Sequence, residues 1–301
     1  MRAVGQYNLE EVSVLKARIK FVKTGSMRFL GHLDVMRYFQ KAIRRCEADI
    51  MYSTGFSPHQ LISFASPLGL GLTSEGEYMD AQFATVDSEA EMVERFNRVM
   101  NDEIRITDFV LVRDDAHPTM SRVAASDYLI YAKKQQVSEL FSTEEERKTR
   151  FLEFLSGEQI LVEKKTKMKT VSMDIRPFIY QAGYQTAGGM EVLYDSVNGQ
   201  PAMPRPEAAF TVETEYPEAS METLPFIPHI FLRLGCGSVV NIKPELVMEA
   251  FHAFCGFSYD RLSWCTHRVE LYADELENTK ESLEERQVRK KKFVPLIEDE
   301  R

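Results

Sequence analysis

The chain has no CxxC pair and no CxxxCxxC. Its four cysteines, Cys46, Cys236, Cys255 and Cys265, stand about ten or more residues apart. This excludes the usual thiolate zinc arrangements and the three-thiolate platform of a radical SAM iron–sulfur cluster, and the thiols are expected to be reduced and mostly buried. No cofactor or metal is expected. No apolar run approaches the roughly 20 residues of a membrane span. The opening MRAVGQYNLEEVSVLKARI lacks the apolar core of a secretory signal, so a cytoplasmic location without a membrane partner is expected. GxGxxG and GxxxxGK are also missing, which removes the familiar nucleotide-binding loops. Nor is there a positive excess: 37 Lys and Arg face 46 Asp and Glu, for a net charge of −9, which argues against indiscriminate nucleic-acid binding.

What is present is the material of a folded protein, 44% hydrophobic and 28% charged over 301 residues, long enough for two domains with separate cores. Leu15 to Val22 alternates Leu15, Ala17, Ile19 and Phe21 against Lys16, Arg18 and Lys20, the period of a half-buried strand. From Gly31 to Glu47 the period changes. Val35, Phe39, Ala42 and Cys46 share a helical stripe, with Arg37, Lys41, Arg44 and Arg45 opposite. Strands follow at Leu61 to Ala65 and Glu77 to Ala84, a helix at Ser88 to Met100 with Asp87 or Ser88 as N-cap, and a strand at Ile104 to Val112.

Strand, helix, strand, strand, helix, strand is the ferredoxin-like order. The grammar then restarts. Asp127 to Lys133 reads as a strand, Thr143 to Leu155 as a helix opened by a Thr143/Glu146 capping box, and Gln159 to Glu163 as a strand. His229 to Gly235, Pro244 to Phe254 and Thr266 to Ala273 complete the set as strand, helix, strand. The expectation is an α+β protein of two ferredoxin-like (βαββαβ) halves. Residues 1–14 form an N-terminal extension, 15–116 the first domain with a basic face, and 117–126 a linker. Residues 127–273 form the second domain with an insertion at 164–228, whose Pro201, Pro204 and Pro206 predict an irregular middle beside a strand at Met190 to Tyr194. Residues 274–301 read as a charged, solvated tail.

Several clusters are candidates for chemistry. Lys16, Arg18, Lys20, Lys23, Arg28, Arg37, Lys41, Arg44 and Arg45 concentrate positive charge in a short stretch of an acidic chain, beside Phe29, Tyr38, Tyr52 and Phe56. Spaced cations serve phosphates and aromatic rings serve unstacked bases, although a solvated helix face needs no such purpose. His32 and His59 are candidates for an acid–base pair, or for capping and loop-filling roles. Asp34 suits the first turn of a helix on dipole grounds alone. Gly235, Gly237, Ser238, Asn241 and Lys243 lie between a strand and a helix, where exposed amides would bind an anion and buried ones would only make a tight turn. Asp174 and Arg176 in DIRP, and Asn241 and Lys243 in NIKP, share a form in which proline holds the preceding basic residue extended.

KTGSMRFLGHLD at 23–34, YSTGFSPH at 52–59, FASPLGLG at 64–71, EGEY at 75–78, DIRP at 174–177 and NIKP at 241–244 resemble the DUF2344, or radical SAM-linked, family. The resemblance covers about residues 15–275 and is strongest in the first third. It implies an association with a radical SAM protein and assigns no reaction. At the level of architecture, two such halves with a basic face are also similar to the RNA-processing RAMP superfamily, an analogy that does not fix function. An RNA-binding accessory protein using the Lys23–Tyr78 surface is therefore expected. The alternatives are an RNA-processing or RNA-modifying enzyme working through His32 and His59, and a protein–protein adaptor for a radical SAM partner.

Overall fold

A computed structural model describes residues 14–132, 143–165, 170–186, 189–197, 229–238, 240–276, 282, 284–285 and 290–301. The N-terminal extension up to residue 13, the proline-rich middle of the insertion and the centre of the charged tail lie outside the described residues.

The alternation in β1 (Leu15–Lys23) sends Ala17, Ile19 and Phe21 into a core with Val35, Phe39 and Ile43 of α1 (His32–Arg45) and Met92 and Phe96 of α2 (Glu89–Asn97). Ser88 caps α2 as expected. Its Oγ accepts from the Glu91 amide while the Glu91 carboxylate accepts from the Ser88 amide, a reciprocal capping box. β2 (Ile62–Phe64) pairs β3 (Thr73–Phe83), β3 pairs β1, and β1 pairs β4 (Ile104–Leu111), all antiparallel.

The second half contributes a short α3 (Thr119–Arg122), β5 (Val123–Ala132), α4 (Glu144–Leu155), β6 (Leu161–Lys165), β7 (Thr170–Asp174), β8 (Ile179–Thr186), β9 (Gly189–Asp195), β10 (His229–Gly235), α5 (Pro244–Phe254) and β11 (Trp264–Asp274), followed by β12 (Phe293–Pro295). A separate core forms where Phe151 and Phe154 of α4 meet Phe251 of α5 over Ile130, Ile179 and Leu232. Thr143 caps α4 by accepting from the Glu146 amide.

The strands join in one ten-stranded mixed sheet, ordered β4-β1-β3-β11-β5-β10-β8-β9, with β2 on β3 and β12 on β11. Every pairing is antiparallel except the seam between the halves, where β3 and β11 run parallel over Thr73↔His267 and Ser74↔Arg268. That seam explains why β3 begins at Thr73, before the alternation from Glu77: its first residues are held by β11. Gly76 sits so close to β11 that a Cβ would lie 2.6 Å from the Val269 carbonyl oxygen and the Glu270 Cα.

Three expectations are corrected. The strand expected at Gln159 to Glu163 is β6, which pairs only β7 in a two-stranded sheet of its own. The place beside β10 is taken by β8, from within the stretch expected to be an excursion. Periodicity of two specifies a strand but not its neighbour, so the exchange was not visible. Residues 119–126, expected to be a linker, are α3 and the start of β5. Thr119 is buried, and its amide donates to Asp80 Oδ2 at 2.6 Å. The end of the charged tail is not solvated either: β12 pairs β11, Leu296 is buried, and the Asp299 carboxylate takes a two-pronged bond from Arg122 at 2.9 and 3.0 Å.

No described helix is long and apolar enough to cross a membrane.

Gly76→Ala is expected to destabilise the chain by about 1–3 kcal/mol, because its methyl group meets backbone that cannot swing aside. Gly69→Ala, whose Cβ would meet only Leu72 side-chain carbons at 3.7 Å or more, is expected to be near neutral. Urea denaturation of the two variants checks this, and equal effects would remove the special role of the seam.

Candidate nucleic-acid interface around residues 23–78

The cations of this stretch divide by element. Three of those on β1 are covered. Arg18 is fully buried: its Nε donates to Thr119 Oγ1 at 2.8 Å and its Nη1 to the carbonyls of Leu296 and Asp299 at 2.7 and 2.6 Å. Lys20 is paired at 2.6 Å with Glu270, which also accepts from Tyr78 at 2.6 Å. Lys23 is buried and donates to the Leu30 carbonyl at 2.8 Å, pinning the 3-10 turn Gly25–Phe29 to the strand. Burial holds its ammonium below the usual lysine range, against the opposing pull of Glu77. The expected basic face thus loses its strand half. Alternation put Arg18 and Lys20 on one side of the sheet, where residues 296–299 meet Arg18 and Glu270 of β11 meets Lys20.

The cations on α1 are open. Arg37, Lys41, Arg44 and Arg45 are exposed; Arg37 makes an exposed i,i+3 pair with Asp34 at 3.3 Å, worth little in water. Among the described residues Lys41 and Arg44 make no ion pair. Arg28 is half-buried, its guanidinium 5.1 Å from the ring centre of the exposed Phe29. Beyond the C-terminal end of α1, a loop from Tyr52 to His59 closes on itself through the Tyr52↔Gln60 bridge and a bond from the Ser53 amide to the His59 carbonyl at 2.8 Å. Gln60 fastens it to the helix by donating to the Gln40 carbonyl at 3.4 Å. Tyr52 is half-exposed, and Phe56 projects fully into solvent.

The two histidines line separate cavities. His32 meets the Phe64 ring edge-on at 5.4 Å and borders a cavity of about 20 Å³ with Lys23, Ser66 and Glu77. His59 bonds Ser53 Oγ through Nδ1 at 2.8 Å and borders a different cavity, of about 260 Å³, which shares no lining residue with the first.

The turn after β10 is built for closeness. The Cys236 amide donates to Ala124, and the Gly235 carbonyl accepts from the Ile242 amide. Gly237 has φ +152°, and a Cβ there would come 2.3 Å from the Val123 carbonyl oxygen. Two of its amides are therefore already used. Ser238, Asn241 and Lys243 are exposed, and Lys243 is the extended N-cap residue of α5. Arg176, by contrast, lies in a 3-10 turn (Arg176–Phe178) with its guanidinium 3.9 Å from the Tyr194 ring centre, and Asp174 accepts from the Ile160 and Arg176 amides. DIRP and NIKP share letters and not conformation.

One convergence had no local signal. Arg268 reaches across the seam to Glu77 with Nη1 at 2.9 and 3.2 Å from the two carboxylate oxygens, and also donates to the Ser66 carbonyl. Ser66 Oγ lies 3.7 Å from Cys236 Sγ. The turn after β10 and the cavity beneath His32 therefore meet at Ser66. Burial pushes the Cys236 thiol up, away from thiolate chemistry. An arginine close to His267 and Glu270 in the wholly buried strand WCTHRVELYAD was the only clue in the sequence.

Glu77→Ala is expected to cost about 3–5 kcal/mol by stranding the buried Arg268 guanidinium. Adding Arg268→Met is expected to restore part of that loss. A double-mutant cycle in denaturant measures both, and strictly additive losses would show that the pair carries no coupling.

Residues 16–206 match the model of a family described as an uncharacterized protein conserved in bacteria (DUF2344). No curated protein matches the chain. The matched span takes in β1, the 3-10 turn, α1, the Tyr52–His59 loop and the Glu77 side of the seam, and on the strength of that match over more than half its length the chain belongs to the DUF2344 family.

Proposed function

We propose that the chain is an RNA-binding accessory protein whose contact surface is the exposed side of α1 together with the Tyr52–His59 loop. The observation that carries this is the contrast between the two sets of cations. Arg18, Lys20 and Lys23 of β1 are consumed by the fold, while Arg37, Lys41, Arg44 and Arg45 stay in solvent, near the loop that carries Tyr52 and Phe56. Cations spaced along a helix suit a phosphate backbone, and exposed rings suit unstacked bases, each worth about 1–3 kcal/mol per stacked base. Single-stranded rather than duplex RNA is favoured, since a ring as exposed as Phe56 has nothing to stack on in a closed helix.

Two further parts belong to the same proposal. Each half is a ferredoxin-like unit, supported by the order β4-β1-β3-β2 in the first and β11-β5-β10-β8 in the second, with antiparallel neighbours throughout each. The association with a radical SAM protein is implied by the family resemblance, and the partner would carry the cluster, since residues 1–301 have no CxxxCxxC. A His32/His59 acid–base pair is not part of the proposal, as the two rings border different cavities.

Fluorescence anisotropy with a single-stranded RNA oligonucleotide tests the surface. Binding is expected at low salt, with a log–log salt slope of about −3 if four phosphates are neutralised. Arg37→Glu combined with Lys41→Glu is expected to weaken it by about tenfold or more and to flatten the slope. No binding at low salt would sink the proposal.

A further inference from the structure

The larger cavity lies against the sheet of the first half, where the side chains of β1, β2 and β3 that do not enter the α1/α2 core emerge. Its floor is a short ladder fixed by register: Lys16 opposite Gln82, and Asp80 opposite Ser63. One wall is His59. The other is the stretch from Ala116 to Pro118, which includes His117. Leu61, Val112 and Pro118 supply apolar surface between the polar groups.

The polar groups are fixed in place. Asp80 accepts from the Thr119 amide and hydroxyl and lies 3.5 Å from Arg18, so its carboxylate has one orientation. His59 is held through Nδ1 by Ser53, and His117 through Nδ1 by Glu300 at 2.8 Å. Neither Nε2 has a partner among the described residues. Gln82 and Ser63, both half-buried, bring an amide and a hydroxyl, each able to donate and to accept.

Walls of two imidazoles, with an apolar floor carrying an amide, a hydroxyl and a carboxylate, fit a flat heterocycle with mixed donors and acceptors on its edge. The volume of about 260 Å³ is just under the roughly 300 Å³ at which pockets for small organic ligands begin. It suits one base with its sugar and excludes a length of polymer. Proteins that read an unstacked base hold it in this way, between flat or apolar surfaces with hydrogen bonds along its edge. Lys16, half-buried at the floor, gives one of its three N–H donors to the Asp114 carbonyl and keeps the others for a 5′-phosphate.

We propose that this cavity is a nucleotide subsite that takes a single base of a bound RNA strand, with the ring between His59 and His117 and its edge on Gln82 and Ser63. The proposal rests on the RNA-binding reading and deepens it. His59 ends the same closed loop that presents Tyr52 and Phe56, so a strand stacked on that loop has its next base at the rim of the cavity.

Titration of the full chain with adenosine and uridine 5′-monophosphates, with ribose 5-phosphate as the base-free control, followed by NMR or calorimetry, tests it. One saturable site is expected for at least one nucleotide, with ribose 5-phosphate at least about tenfold weaker. Gln82→Ala is expected to weaken that site about fivefold or more, and Ser63→Trp, which fills the cavity, to abolish it. Circular dichroism establishes that each variant is folded, and Gln82→Ala alone decides the matter if Ser63→Trp is not. Arg37→Glu with Lys41→Glu is expected to leave mononucleotide binding unchanged while weakening RNA. Equal binding of ribose 5-phosphate, no nucleotide binding, or nucleotide binding indifferent to Gln82→Ala would each overturn the subsite. RNA binding that survives those results leaves the α1 surface standing, so the two proposals fail separately.

Discussion

The parallel contact between β3 and β11 is the constraint on which the rest of the molecule depends. It is short, and it is stitched by polar side chains: Glu77 to Arg268, Lys20 to Glu270 with Tyr78, and Thr73 to His267. Desolvating so many charges in one place is favourable only when each finds its partner, so the seam tolerates one relative placement of the halves. Gly76 reinforces this by letting the backbones approach closely where no side chain fits. The halves are therefore joined as neighbours in a single sheet, with a buried apolar cluster of Ala65, Tyr78, Leu271 and Leu296 between them, and whatever binds at Lys23–Tyr78 meets a rigid support.

A lysine or arginine on a strand and one on a helix look alike in a sequence, and here they met opposite fates. Alternation correctly put Arg18 and Lys20 on the face away from the core. It did not say whether water or more protein lay beyond. The segment that covers Arg18 reads KKKFVPLIEDER, so highly charged that its few apolar residues, Phe293, Val294 and Leu296, were lost in it. On α1 the helical period, the glycine before it and the apolar stripe all agreed, and His32–Arg45 fell inside the expected range with its cations outward. Helix patterns report both faces at once; strand patterns report one face and leave the other to partners that are distant in sequence.

The same limit explains the site. Local motifs identified the turn, the helix and the loop because each is built from neighbours: Lys23 with Leu30, Ser53 with His59, Gln60 with Gln40. Glu77 and Arg268 are separated by 191 positions, and no spacing rule joins them. His32 and His59 were a candidate acid–base pair because imidazoles titrate near neutral pH. The edge strand β2, with His32 beside Phe64 and His59 beyond the strand's start, sends them to different cavities. Where the residues converge was a question of topology, and strand order was the part the periodicity left open.

Arg18 has a consequence for how the molecule comes into being. Two of its hydrogen-bond acceptors, the carbonyls of Leu296 and Asp299, lie 278 and 281 positions away, and the parallel neighbour of β3 is also among the last strands made. A guanidinium without acceptors is not buried, so the first half cannot reach its final state while it leaves the ribosome, although its own helices and hairpins are local. Contacts of such sequence separation make for slow folding. The newly made N-terminal half must therefore wait, with the outward side of β1 still wet, until Leu296 and Asp299 arrive to close it.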